Sequence, residues 1–256
     1  MVQQKLTIFD VKYLATGSTI ADEPFQQFEL FMKMYRDFCS CNFNTIGEDA
    51  ERWIQKESEL GRQYEKNYAF LKSDRNWAVC YFTNYIYPSY TDAARIQETC
   101  EILARIPEWR CRIDRNNEGE KQVWFKLDMD DSLWEKTNPC LQNWSDMGLW
   151  SYYGPVWYRN VVKLLKIPAG KKVYLWVSTS DGELKVFVNG KHVSYATVAG
   201  KYSGVFSGYC LPASFNITDA VKSEAENQIT IVGTRTSINE LGTGGIMGPV
   251  LIYRER

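Results

Sequence analysis

The sequence predicts an α+β protein: an N-terminal helical region followed by an antiparallel β-sandwich or jelly roll. Two observations carry this. Apolar residues recur at three- and four-residue spacing through residues 22–106, the mark of helices with one buried face. After Pro107 the pattern becomes short apolar runs separated by Gly, Pro, Asn and Asp, which reads as strands and turns. No helical stretches alternate with these runs, so a parallel α/β sheet is not expected. The expected division is residues 1–107 as a helical region packed on the sandwich and 108–256 as the sandwich itself.

The elements follow in order. Asp22-Glu23-Pro24 is a helix start, with a capping side chain and a proline in the first turn. Phe25, Phe28, Leu30, Phe31, Met32, Met34, Tyr35 and Phe38 then form an apolar stripe. Thr45 with Glu48 has capping-box spacing and opens a second helix through Trp53, Ile54, Leu60, Tyr64 and Tyr68. Residues 77–87 read as an irregular or extended connector, broken by Pro88. Thr91 or Asp92 caps a third helix through Ile96, Cys100, Leu103 and Ile106, which Pro107 ends. Strands are expected at residues 109–113, 122–127, 156–165, 173–178, 184–188, 192–195, 228–235 and 250–253. Asn189-Gly190 between two of them is a strong hairpin signal, because both residues accept positive φ.

Composition narrows the function classes. The 256 residues carry 30 basic and 31 acidic side chains, a net charge of −1. No basic footprint for a phosphate backbone exists, so nucleic acid is not an expected partner. No run of about 18 apolar residues is present, so no membrane span is expected. Residues 1–10 lack the basic start and apolar run of a secretory signal. Aromatic residues are plentiful, with Trp 9, Tyr 16 and Phe 12. Such rings fill sandwich cores and also suit sugar faces and protein interfaces.

Catalytic and metal signatures are weak. The seven cysteines, Cys39, Cys41, Cys80, Cys100, Cys111, Cys140 and Cys210, contain no C-x-x-C pair, and His192 is the single histidine, so a zinc site is not expected. An odd, irregular set of thiols fits a reducing compartment or simple burial. Cys39 and Cys41 lie two apart on an expected helix and should not pair with each other. His192 follows the hairpin turn and has no Gly-x-Ser-x-Gly partner motif. Asp128, Asp130 and Asp131 cluster in one turn, where they cannot flank a glycosidic bond from both sides. Turn capping is their main reading; a structural calcium ion held by them with backbone carbonyls is the minor one.

Four motifs occur in order. They are Asp130-Asp131-Ser132-Leu133-Trp134, Tyr153-Gly154-Pro155-Val156-Trp157-Tyr158-Arg159, Lys185-Val186-Phe187-Val188-Asn189-Gly190-Lys191 and Gly244-Gly245-Ile246-Met247-Gly248-Pro249-Val250. Together, over residues 108–254, they resemble the galactose-binding-like jelly roll of family-two glycoside hydrolases and their accessory modules. The resemblance implies an antiparallel jelly roll with Trp134 and Trp157 inside, and a module that accompanies catalysis without performing it. No cofactor is expected. A sugar site needs an aromatic platform with convergent polar groups. The candidates for a glycan are Trp144, Trp150 and Tyr152 in the segment before β-strand 156–165, with Tyr202, Asn239 and Glu240 from two later loops. The second reading is a structural or assembly protein, such as a virion or appendage component, that uses the jelly roll to contact other protein subunits.

Overall fold

The computed structural model describes residues 19–67, 77–168, 170–196, 202–203, 205–236 and 243–256. Among the described residues four helices precede the sandwich: α1 (Thr19–Cys39), α2 (Ile46–Asn67), α3 (Trp77–Tyr85) and α4 (Tyr87–Thr99). Helix α2 starts directly after Thr45, as expected. The Thr45 hydroxyl donates to Asp49 at 2.9 Å. Burial opposes ionisation of Asp49, but Lys33, Thr45 and Arg52 together hold its carboxyl below the usual range. None of the four is long and apolar enough to cross a membrane.

Three expectations are corrected here. Residues 77–85 are helical, not an irregular connector. Pro88 does not break the chain; it sits in the first turn of α4, where its missing N–H costs nothing. The third helix does not run to Ile106. It ends at Thr99, and strand β1 (Cys100–Ile106) pairs antiparallel with the last strand of the chain. The chain thus enters the sheet ahead of Pro107.

The remaining strands are β2 (Trp109–Ile113), β3 (Glu135–Thr137), β4 (Gly154–Lys163), β5 (Val173–Val188), β6 (Lys191–Val193), β7 (Tyr195–Ala196), β8 (Tyr202–Ser203), β9 (Phe206–Asn216), β10 (Glu226–Arg235), β11 (Gly245–Ile246) and β12 (Val250–Glu255). All pairings are antiparallel, with the main ladder in the order β1-β12-β5-β10-β4-β2-β3. Residues expected as separate strands at 173–178 and 184–188 form the single strand β5. Its first half pairs with β12 and its last half with β10, with register shifts between Val177 and Asp181 where it changes partner. This handover folds one ladder into two facing layers. The hairpin after β5 turns through Asn189 (φ 51°) and Gly190 (φ 77°), as the Asn-Gly pair requires. Residues 122–127, expected as a strand, lie in consecutive turns instead; Trp124 there is buried while Val123 adopts φ 52°.

Period-two alternation sorts the strand side chains into three cores. Val156 and Tyr158 of β4, Leu184 and Val186 of β5, Ile229 and Ile231 of β10, and Val250 and Ile252 of β12 face each other between the layers. The alternate residues Trp176, Leu251 and Tyr253 face outward under the helices, against Met34, Phe38, Phe43, Tyr90 and Ile96. Trp157, Phe187 and Val232 face outward from the other layer, under Trp124 and Trp134. Because both faces of these strands are covered, their sequences read as nearly continuous apolar runs. Both motif tryptophans, Trp134 and Trp157, are inside.

The motif residues explain one another. Arg159, itself buried, donates from Nε to Asp131 at 2.8 Å and from Nη1 to the Lys126 carbonyl at 3.1 Å. Asp130 accepts the Ser132 amide at 2.9 Å, which holds its carboxyl below the usual range. Gly244 and Gly245 lie against Trp144 and Tyr158: a Cβ on Gly245 (φ 63°) would sit 2.7 Å from the Tyr158 hydroxyl.

Candidate functional site

A cleft of about 450 Å³ opens on the outer face of the β4–β10–β5 layer, away from the helices. Its position follows from alternation along β5. Glu183, Lys185 and Phe187 share the outward face; Phe187 is covered by the 114–134 loop, and the two charged residues are not. The loop is fixed by Asp114, whose carboxylate accepts the Glu118 and Gly119 amides, both at 2.8 Å, and the Trp157 indole N–H at 3.1 Å. Gly119 is needed there, since a Cβ would fall 2.4 Å from Trp157. Lys185 pairs with Glu120 across the rim.

The opposite wall is the aromatic segment ending at Tyr152 and Tyr153, and Arg235 holds it. This arginine is buried at the end of β10. It donates to the carbonyls of Tyr152 (2.9 Å), Thr243 (2.6 Å), Leu149 (3.1 Å) and Trp150 (2.8 Å). Its guanidinium lies 5.0 Å from the Tyr153 ring centroid and 5.4 Å from that of Trp144. Tyr153 remains 46% exposed at the cleft. The Tyr152 hydroxyl faces the Asp114 and Pro155 carbonyls at 3.0 and 3.1 Å, and Arg115 covers its ring at 5.5 Å. Burial, then the nearby Asp114 charge, push the Tyr152 phenol up.

The six residues singled out from sequence separate in space. Tyr152 lines the cleft. Trp144 is fully buried and donates its indole N–H to Tyr158 at 2.6 Å. Trp150 is 67% exposed and outside the cleft lining. Tyr202 contributes backbone to the β7–β8 pair. Asn239 and Glu240 lie outside the described residues. Arg115, Asn117, Glu183 and Arg235 were not singled out from sequence, and Tyr153, on the same aromatic segment, was read as a core or loop anchor. One signal was available for Lys185: it is the charged position interrupting the apolar run Leu184–Val188.

Two of the three clustered carboxylates, Asp130 and Asp131, make local bonds. Asp131 meets Arg159 and, at 3.6 Å, Arg110; Asp130 caps its own turn. Among the described residues no group of three or more His, Cys, Asp or Glu side chains is placed to hold a metal ion.

Behind the cleft, Asp181 of β5 is fully buried, its Oδ1 has no hydrogen-bond partner, and its Oδ2 accepts from Thr243. Burial pushes its carboxyl above the usual range, against Thr243 and Arg235. A raised folded pKa means that folding is favoured as pH falls through it toward the unfolded value, and that the charge penalty is full at higher pH. Asp181→Asn carries no such penalty. Its melting temperature should exceed the parent's by a few degrees at about pH 8, with the gap narrowing toward about pH 4. A pH-independent gap in thermal melts would contradict this.

No family model matches the chain. Over 126 residues, 48% of this chain and 19% of the relative, it is 27% identical to a β-glucuronidase of Paenibacillus borealis. The chain is similar to part of a glycoside hydrolase. Solved β-glucuronidases from Lactobacillus rhamnosus (20% identity, TM-score 0.47) and an uncultured Clostridium species (17% identity, TM-score 0.47) each cover 62% of this chain, and this chain covers 29% of each. It therefore spans less than a third of the length of these relatives.

Proposed function

We propose that this chain is a non-catalytic carbohydrate-binding or accessory module of a glycoside-hydrolase-type system, and that the cleft beside Tyr153 is its glycan platform. One observation carries the reading: a half-exposed Tyr153 ring, fixed from behind by a buried arginine, stands beside Arg115, Asn117 and Glu183. Sugars present flat C–H faces edged by hydroxyls. An aromatic ring takes the face, and an amide, a carboxylate and a guanidinium supply acceptors and donors for the edge. Trp150, three residues earlier on the same segment, is also exposed but lies outside the cleft lining. The local match to a β-glucuronidase supports the glycan class.

The test is a glycan array on the full chain, followed by calorimetric titration of the best ligand. Tyr153→Ala and Glu183→Gln should each weaken binding at least tenfold, roughly 1.4 kcal/mol or more. Melting should hardly change, since neither side chain is buried. Array silence together with a stable oligomer, or binding indifferent to both changes, would sink the proposal.

A further inference from the structure

We propose that Cys39 and Cys140 form a redox-active pair, closing to a disulfide that staples the helical layer to the sandwich. The two thiols belong to different layers and lie 101 positions apart in sequence. Cys39 is the last residue of α1, and Cys140 sits in the loop between β3 and β4. Each sulfur approaches the other residue's carbonyl: Cys39 Sγ lies 3.9 Å from the Cys140 oxygen, and Cys140 Sγ lies 3.9 Å from the Cys39 oxygen. Each side chain thus reaches the other residue's backbone across the seam.

Both ends are held. The Tyr35 hydroxyl, one turn back on α1, donates to the Cys140 carbonyl at 2.8 Å. The Cys140 amide donates to the Asn138 side chain at 2.9 Å, which fixes a tight turn. Closing the bond asks that the two side chains rotate toward each other in this already docked seam. Cys41, two residues on, is past the helix end in a left-handed conformation (φ 54°) and buried.

The chemistry of the pair is asymmetric. Interaction with the Cys140 side chain, with help from Tyr35, lowers the Cys39 pKa against the effect of burial; the same interaction, followed by burial, raises that of Cys140. Cys39 is half-buried and Cys140 fully so. Cys39 is thus the attacking thiolate. It displaces one thiolate from a small-molecule disulfide such as oxidised glutathione, giving a mixed disulfide. The Cys140 thiol loses its proton, attacks Cys39 Sγ and expels the second thiolate. The protein dithiol gives up two electrons, and the small disulfide takes them up as two thiols. The loop anchored in this way continues to Tyr152 and Tyr153, so closure also braces one wall of the cleft.

The full chain is equilibrated with oxidised glutathione or with dithiothreitol, alkylated, digested without reduction and mapped by mass spectrometry. The oxidised sample should yield a peptide linking Cys39 to Cys140. Its melting temperature should exceed that of the reduced sample by roughly 5–10 °C, because a long loop is closed. Cys39→Ser and Cys140→Ser should each abolish the shift, and Cys80→Ser should keep it. Full alkylation of both cysteines after oxidation, or a dominant link through another cysteine, would overturn the proposal. The mapping on the unmodified chain decides this even where a serine variant folds poorly.

Discussion

A Trp176→Ala chain should lose about 3–5 kcal/mol of stability, the range for truncating a fully buried large aromatic. For a protein of this size that is a fall of roughly 6–20 °C in melting temperature. The reason lies in where β5 places this side chain. Trp176 pairs with Leu251 on one side and Ser214 on the other, at the centre of the layer under the helices. Its ring meets Phe38 and Phe43 edge-on, with centroids 6.2 and 6.0 Å away. Its indole N–H donates to Asp92 of α4 at 2.7 Å. Removing it opens a cavity walled by rigid sheet on one side and by docked helices on the other, so little collapse can fill it. It also removes a hydrogen bond from Asp92. Trp176→Phe should cost less than half as much, because most of the volume stays. Trp150→Ala, at an exposed position, should fall within about 0.5 kcal/mol of the parent. Urea unfolding followed by tryptophan fluorescence measures all three. A Trp176→Ala chain that melts within about 2 °C of the parent would mean that helices and sheet do not share a core.

How much of this was legible in the sequence depended on whether local pattern and final environment agreed. The strands β4, β10 and β12 read correctly because apolar runs match burial on both faces, and β2 because it alternates; β5 was read as two strands because the polar stretch Ser178–Gly182 interrupts it. The hairpin at Asn189-Gly190 read correctly because two positive φ values demand those residues. Strand β1 did not. Ile96, Cys100, Leu103 and Ile106 fit a helical period, yet pairing of Cys100–Ile106 with Val250–Glu255 fixes an extended backbone. A partner so distant in sequence leaves no local trace. Helix α3 was hidden for the opposite reason. Its WAVCYFTNY sequence has no clear polar face, with Phe82 buried against Trp53 at a centroid distance of 4.4 Å and half-buried Tyr85 packed edge-on against Tyr209 at 5.0 Å. Strand β9 was masked by Gly208 and Pro212, residues that usually mark turns. Among the described residues it pairs only with β5, and a strand with one free edge tolerates a proline.

The helical region was expected to pack on the sandwich, and the structure divides the apolar stripe of α1. Met34 and Phe38 are buried, whereas Phe25, Phe28, Met32 and Tyr35 stay partly exposed. The site was less legible than the fold. Rings that suit a sugar also suit a core, and only their surroundings tell them apart. Trp144 and Tyr153 are nine residues apart on one segment; the first is fully buried and the second reaches the cleft. What separates them is Arg235, a charged residue in a strand that the alternation pattern marks simply as buried.

That arginine sets the last expected result. Arg235→Met should destabilise the chain by roughly 2–4 kcal/mol and weaken binding at the cleft together, because one side chain supports both. Four carbonyls, those of Leu149, Trp150, Tyr152 and Thr243, converge on its guanidinium. A methionine fills similar space but donates nothing, so the buried carbonyls lose their partners, at about 1–3 kcal/mol for each that water cannot reach. Asp181 next to it also loses a nearby positive charge, which worsens the penalty on its buried carboxylate. With the segment released, Tyr153 loses the cation that stacks on it and its fixed angle to the cleft. Arg235→Lys should recover only part of either effect. A single ammonium keeps the charge but cannot reach four acceptors spread around a planar fork. The decisive comparison is between Arg235→Met and Tyr153→Ala. The first should lower both melting temperature and glycan affinity, and the second affinity alone. An Arg235→Met chain with unchanged stability would show that water replaces the guanidinium at these carbonyls, and that the aromatic wall stands without it.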